Sequence, residues 1–162
     1  MDGHSYTGSC KCGAVRYEFM GPVEETYHCY CGTCRRLHSA AYVTWTVLPH
    51  RRFHLVSGRR SVTFCASSER EHRAFCRKCG SHVFAEAIEP NERQDIYVPV
   101  ATVVEPHDLQ PKRNIFADRR PGWVALDDAL PSYGGADGVQ PLSGEASTDT
   151  CGRTRTDESC CA

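Results

Sequence analysis

The stretch Cys29-Tyr30-Cys31-Gly32-Thr33-Cys34-Arg35-Arg36 places three thiols within six residues. Cys10 and Cys12 precede it, and Cys76 and Cys79 follow. In a reducing setting, pairs of the Cys-x-Cys and Cys-x-x-Cys type read as metal ligands rather than disulfides. Thiolates suit zinc. A structural zinc site is closed by four ligands, whereas a catalytic one keeps three protein ligands and an open position. Cys10, Cys12, Cys76 and Cys79 supply a set of four, and Cys29, Cys31 and Cys34 a set of three. A thiol taken up at the open position of the second set would be ionised, and the thiolate is the nucleophile.

Other readings stay open at this level. His28 or His38 could act as a fourth ligand and close the inner site, making it structural. Metal-free redox thiols would call for a thioredoxin-like βαβ pattern, which the flanking residues lack. Cys10 and Cys12 could be small buried apolar groups. Arg35 and Arg36, beside the third inner thiol, are either solvated or placed to pair with a substrate's carboxylates. Cys65 reads as a core residue. His4, His50, His54, His72, His82 and His107 have no paired spacing and read as surface or packing residues.

Composition narrows the classes. The 162 residues suit one domain with a tail, and 40% hydrophobic with 24% charged residues fits a globular chain. A net charge of −1 argues against a nucleic-acid partner. No apolar run approaches the roughly 20 residues of a membrane span, so no membrane partner is expected. The start Met-Asp-Gly-His-Ser-Tyr lacks the basic and apolar regions of a secretory signal. The expected setting is cytoplasmic, where the eleven cysteines stay reduced.

The elements that position the thiols are read mostly as strands. Residues 14–19 alternate apolar with polar, the period of a half-buried strand. Residues 24–29 are extended and deliver Cys29 to their end. Residues 34–38 form one helical turn. Residues 41–48, rich in β-branched and aromatic side chains, make the strongest strand signal. Residues 53–56 and 61–65 are expected to pair around Gly58. Residues 71–75 lead to the Cys76–Gly80 turn, and 81–87 and 95–100 follow as strands. Ile115-Phe116 and Trp123-Val124 are expected to pack on the sheet. The expectation is a mainly β fold of short strands closing on themselves, with short helical turns. From residue 134 to 162 small and polar residues dominate, so a disordered tail carrying Cys151, Cys160 and Cys161 is expected.

Three segments together carry a family likeness: Gly8-Ser9-Cys10-Lys11-Cys12-Gly13-Ala14-Val15-Arg16-Tyr17, the central 29–36 motif, and Phe75-Cys76-Arg77-Lys78-Cys79-Gly80-Ser81. With Asn114-Ile115-Phe116, Trp123 and Leu130-Pro131-Ser132-Tyr133, they resemble the glutathione-dependent formaldehyde-activating enzyme and centromere protein V family over residues 4–133. The resemblance implies an Mss4-like, zinc-bound β-tent fold with two zinc ions. One would be structural, on Cys10, Cys12, Cys76 and Cys79, and one catalytic, on Cys29, Cys31 and Cys34. It also implies a carbon–sulfur lyase-type reaction joining glutathione and formaldehyde as S-hydroxymethylglutathione. Two positions depart from the family pattern, which often has histidine where Tyr30 and Asn114 stand. They motivate an alternative, the same scaffold acting on another small thiol or electrophile. The centromere-protein branch motivates a second alternative, a non-enzymatic zinc module.

Overall fold

The structure is a computed structural model, and it describes residues 4–88, 95–104 and 107–142. In chain order the strands are β1 (Ser5–Ser9), β2 (Arg16–Met20) and β3 (Glu25–Cys29), followed by the helix α1 (Gly32–His38). Then come β4 (Val43–Pro49), β5 (Phe53–Ser57), β6 (Val62–Ser68), β7 (Glu71–Cys76), β8 (His82–Ala87) and β9 (Asp95–Pro99). The short strands β10 (Asn114–Ile115), β11 (Tyr133–Gly134) and β12 (Gln140–Pro141) complete the set. The mainly β expectation is met.

The strands form a three-stranded sheet, β1-β2-β5, and a seven-stranded sheet, β10-β3-β4-β9-β8-β7-β6. A two-stranded ribbon, β11-β12, forms a third sheet, joined to β10 by a bridge from Asn114 to Ser132. The large sheet is open, ending at β10 and β6, so the strands do not close on themselves as expected.

Alternation along the strands sorts the side chains onto two faces. One face meets the small sheet. Leu48, Ala74, Val83, Phe84, Ile96 and Val98 from the large sheet pack with Tyr17, Phe19 and Phe53 from the small one. Tyr17 stacks on Phe53 at 5.2 Å between ring centroids, and Tyr6 on Phe19 at 4.8 Å. The other face carries a second cluster of Cys29, Cys34, Val43, Trp45 and Ala85, flanked by Tyr27, Tyr97, Ile115 and Phe116. The sequence positions interleave: Ile96 and Val98 face the main core, while Tyr97 between them faces the thiols.

Four further expectations are corrected. β5 does not pair with β6. It pairs with β2, because Phe53 and Leu55 belong to the apolar face that Tyr17 and Phe19 begin. β6 pairs instead with β7 and forms the sheet edge, which leaves Cys65 exposed rather than in the core. Trp123 is 79% exposed and does not pack on the sheet. The segment assigned to the tail begins with ordered pairing, since Gly134 pairs with Gln140. Residues 143–162, with Cys151, Cys160 and Cys161, lie outside the described residues.

Gly58 has φ +82, and a Cβ there would lie 1.9 Å from the Ala14 carbonyl oxygen. The left-handed backbone and the approach to Ala14 both require glycine. Gly58→Ala is therefore expected to destabilise the protein by at least about 2 kcal/mol, seen as a lower urea midpoint with little change in slope. An unchanged midpoint would contradict this packing of β5 on β2.

Candidate metal centres and cleft

The four outer cysteines come from two turns that approach each other. In the β1–β2 turn the Gly13 N–H donates to the Cys10 carbonyl at 2.9 Å. In the β7–β8 turn the Gly80 N–H donates to the Cys76 carbonyl at 2.7 Å. The Lys11 N–H crosses from one turn to the other and donates to Ser81 Oγ at 3.0 Å. The Sγ atoms of Cys10, Cys12, Cys76 and Cys79 all lie within 4.8 Å of one another. Cys10 and Cys76 are buried and Cys12 and Cys79 exposed.

The spacing fits a tetrahedral ion. Cys10 and Cys12 sulfurs are 3.6 Å apart, and Cys12 and Cys76 3.8 Å. Four sulfurs about 2.3 Å from one zinc would be about 3.8 Å from each other, whereas a disulfide would need about 2.05 Å. Hydrogen bonds also favour charge on Cys10 and Cys79. The Val15 N–H donates to Cys10 Sγ at 3.3 Å. The Ser81 hydroxyl, then its backbone, hold the Cys79 thiol down to about 5.

The three inner cysteines form a second group within the same limit. Cys29 ends β3, held against Val43 of β4. Cys31 is the N-cap of α1, with its sulfur accepting the Cys34 N–H at 3.3 Å. Cys34 is buried in the first turn of the helix. Cys31 is the thiol most ready to ionise. S–H groups of Cys29 and Cys34 hold it low, helped by the Cys34 N–H and the Arg73 guanidinium. The Cys29 thiol is correspondingly pushed up by Cys31, Cys34 and burial.

Neither histidine in question joins this group. His28 Nδ1 is hydrogen-bonded to Thr44 Oγ1 at 2.9 Å, and its ring lies edge-on to Tyr42 at 4.7 Å. His38 Nε2 is hydrogen-bonded to His82 Nδ1, and the His82 Nε2–H donates to the Phe84 carbonyl at 3.1 Å. Burial holds His38 down to about 4 and His82 down to about 3, so both are neutral at pH 7. Of the surface or packing roles expected for His82, the structure shows a buried one, and its partner ties the end of α1 to β8. Among the described residues the inner group is three thiols with no fourth ligand.

The three thiols open into a cleft of about 400 Å³. Tyr27, Trp45 and Tyr97 line it from the sheet, Ile115 and Phe116 from the β10 side, and Glu71 and Arg73 from β7. β10 reaches this position by pairing parallel to β3, so Ile115 stands beside Cys29. The Arg113 guanidinium fastens it there through Glu25, donating from Nη2 to Oε2 at 2.7 Å.

Sequence reading missed Glu71 and Arg73. Arg73 is 4% exposed. Its Nη2 donates to Glu71 Oε2 at 2.8 Å and lies 3.9 Å from Cys34 Sγ, while its Nε donates to Ser67 Oγ at 3.1 Å. Its guanidinium also lies 5.1 Å from the centre of the Trp45 ring. Conversely, Arg35 and Arg36 do not line this cleft. Arg35 donates to the Arg119 carbonyl at 2.7 Å, and both arginines border a separate concavity beside Pro121 and Trp123.

Matched against known families, residues 5–119 fit the glutathione-dependent formaldehyde-activating enzyme family. The chain belongs to that family. Among solved structures, a crystal structure of a Rhodobacter sphaeroides protein has a similar fold, with TM-score 0.50 and 23% identity. The alignment covers 63% of this chain and 90% of that one. Family membership agrees with the Mss4-like β fold, and the two sulfur groups have a donor chemistry and spacing that could hold zinc.

The two family departures turn out to touch. The Tyr30 hydroxyl donates to Asn114 Oδ1 at 3.5 Å, and the Asn114 amide donates to Ser132 Oγ at 3.2 Å. Both residues are buried, and neither lines the cleft. They form one structural contact that holds β10 and the segment before β11.

The two groups predict different responses to substitution. Cys76→Ser, at a fully buried member of the four, is expected to cost about 3 kcal/mol or more, or to abolish folding, because a closed metal site contributes directly to stability. Cys31→Ser should shift stability by less than about 1 kcal/mol, since serine is itself a favoured N-cap. Urea denaturation followed by circular dichroism compares them, and equal losses would contradict the distinction.

Proposed function

We propose that the protein is a cytoplasmic, zinc-dependent carbon–sulfur lyase-type enzyme that forms and cleaves the adduct of glutathione and formaldehyde, S-hydroxymethylglutathione. The observation that carries this reading is the three-thiol group open to a cleft, beside a separate group of four. Family membership supports glutathione and formaldehyde as the substrate pair. No helix among the described residues is long and apolar enough to cross a membrane.

Cys29, Cys31 and Cys34 would hold the catalytic zinc, and Cys10, Cys12, Cys76 and Cys79 the structural one. A zinc ion at the inner site supplies a concentrated positive charge that favours the thiolate form of a substrate thiol over the thiol. The chain's own residues do the rest. The aromatic walls, Tyr27, Trp45 and Tyr97, exclude water from the reacting atoms and strengthen electrostatic interactions there. Arg73 adds a fixed cation next to Cys34 that favours negative charge in the cleft. Arg70, exposed at the cleft edge, is a cation available to an anionic tripeptide. The glutathione sulfur attacks the carbonyl carbon of formaldehyde, a C–S bond forms, and the carbonyl oxygen takes up a proton.

The contact between Tyr30 and Asn114 outside the cleft removes the main reason to prefer another thiol. A purely binding zinc module would have no use for a three-thiol group open to a cleft lined by a buried arginine and a half-buried glutamate.

Exchange spectroscopy by NMR tests the reaction. In a mixture of glutathione and formaldehyde, the exchange rate between free and adduct formaldehyde should rise in proportion to added protein, above the spontaneous rate. Cys31→Ser should remove at least about nine-tenths of that increment. An exchange rate equal to the protein-free blank would overturn the assignment for this substrate pair.

A further inference from the structure

We propose that Glu71 is the proton-transfer group of the cleft, taking the proton released when the substrate thiol ionises and returning it to the oxygen of the new hydroxymethyl group. Arg73 is its positioning residue. The inference rests on the reaction just proposed and supplies the step that reaction leaves open.

The cleft itself narrows the candidates. Among the described residues, Glu71 is the one carboxylate that lines it. Tyr27 and Tyr97 line the same space, but burial pushes both phenols above their ordinary range, so neither gives up a proton readily. Ser67, Ser68 and Thr33 have hydroxyls that do not titrate near neutrality. Glu71 is half-buried, which leaves its carboxyl group reachable from the cleft.

Its placement is built from the strand upward. Glu71 and Arg73 are two apart in β7, so they share the cleft face, while Ala74 and Cys76 face the main core. The register between β6 and β7 shifts between Ala66 and Ser68, opposite Glu71 and His72. Such a bulge re-aims a side chain. Here Ser67 both donates to the Glu71 carbonyl at 3.2 Å and accepts from Arg73 Nε at 3.1 Å. A single guanidinium nitrogen, Arg73 Nη2, then spans from the Glu71 carboxylate at 2.8 Å to Cys34 Sγ at 3.9 Å. The carboxylate is thereby held on the side of the cleft that carries the thiols, one guanidinium away from Cys34.

The electrostatics suit the role. Burial pushes the Glu71 carboxyl above the usual carboxylate range, Arg73 opposes that, and charge on Cys31 adds to the rise. The groups facing it are Arg73 on its own strand, Arg70 at the cleft edge, Cys31 and Cys34 from α1, Tyr27 from β3 and Tyr97 from β9. A carboxyl so raised can exchange protons nearer neutrality than an ordinary glutamate.

The step balances. The thiol S–H proton passes to the Glu71 carboxylate as the thiolate forms. The sulfur lone pair makes the C–S bond, and the carbonyl π pair moves to oxygen. The Glu71 O–H then protonates that oxygen, restoring the carboxylate. Glutathione and formaldehyde become S-hydroxymethylglutathione with no other reactant, and cleavage runs the same path backwards.

The experiment compares wild type, Glu71→Gln and Glu71→Asp in two arms. In the NMR exchange arm, E71Q should lose at least about 100-fold of the protein-dependent rate, and E71D should retain an intermediate rate. The acid-side fall of the wild-type pH profile should be absent in E71Q. In the second arm, glutathione binding without formaldehyde is measured by calorimetry in buffers of different ionisation enthalpy. E71Q should bind glutathione within about threefold of wild type but release about one more proton to the buffer, since the carboxylate no longer captures it. A wild-type rate and pH profile in E71Q, or equal proton release, overturns the proposal. A wild-type protein that fails to exceed the blank overturns the reaction itself, a result recognised without any substitution. E71D guards against misfolding, because it keeps the charge that Arg73 requires.

Discussion

Like-charged sulfurs crowded together are the constraint on which this structure depends. Seven thiols are gathered into two groups, each with its sulfurs within 4.8 Å of one another. As thiolates they would repel one another, and as thiols they would give little cohesion. A cation at the outer group would convert the crowding into a bond between distant parts of the chain. The outer group joins the β1–β2 turn to the β7–β8 turn, and so fastens the small sheet to the large one. With that fastening in place, the two sheets enclose the aromatic core on one face, and the opposite face is free to carry the inner thiols and their cleft.

The two groups share a donor atom but differ in surroundings. The outer sulfurs sit in two facing turns, half of them exposed. The inner sulfurs cap and begin a helix beside a cleft with a buried arginine and a half-buried glutamate. That difference in environment supports the proposed division into a supporting group and a chemical one. The neutral His38–His82 pair connects them, running from the end of α1 to the first residue of the strand that follows the Cys76–Gly80 turn.

Much of this was legible in the sequence because metal ligation writes itself as spacing. Cys10 with Cys12, Cys76 with Cys79, and the 29–34 triplet all gather as their spacing suggests, and most strands fall near their expected places. What escaped is what depends on tertiary pairing. Whether Phe53 and Leu55 pair with β2 or with β6 is settled by the aromatic face of β2, not by the glycine at 58. Cys65 looks like a core residue until β6 is known to be an edge. Arg35 and Arg36 attract notice by lying beside Cys34, yet a helix turns adjacent residues to different faces. Glu71 and Arg73 carry no motif. Their one signal is the two-residue alternation of the strand that ends in Cys76, which sets a paired acid and base on the face opposite the core.

The most direct test of the central claim is the number of zinc ions per chain, determined by native mass spectrometry on protein purified under reducing conditions. The account predicts two ions in the intact chain and one, still bound to a folded protein, in Cys34→Ser. A single ion in the intact chain, or a Cys34→Ser protein that keeps both, would contradict the division into a closed four-sulfur site and an open three-sulfur site.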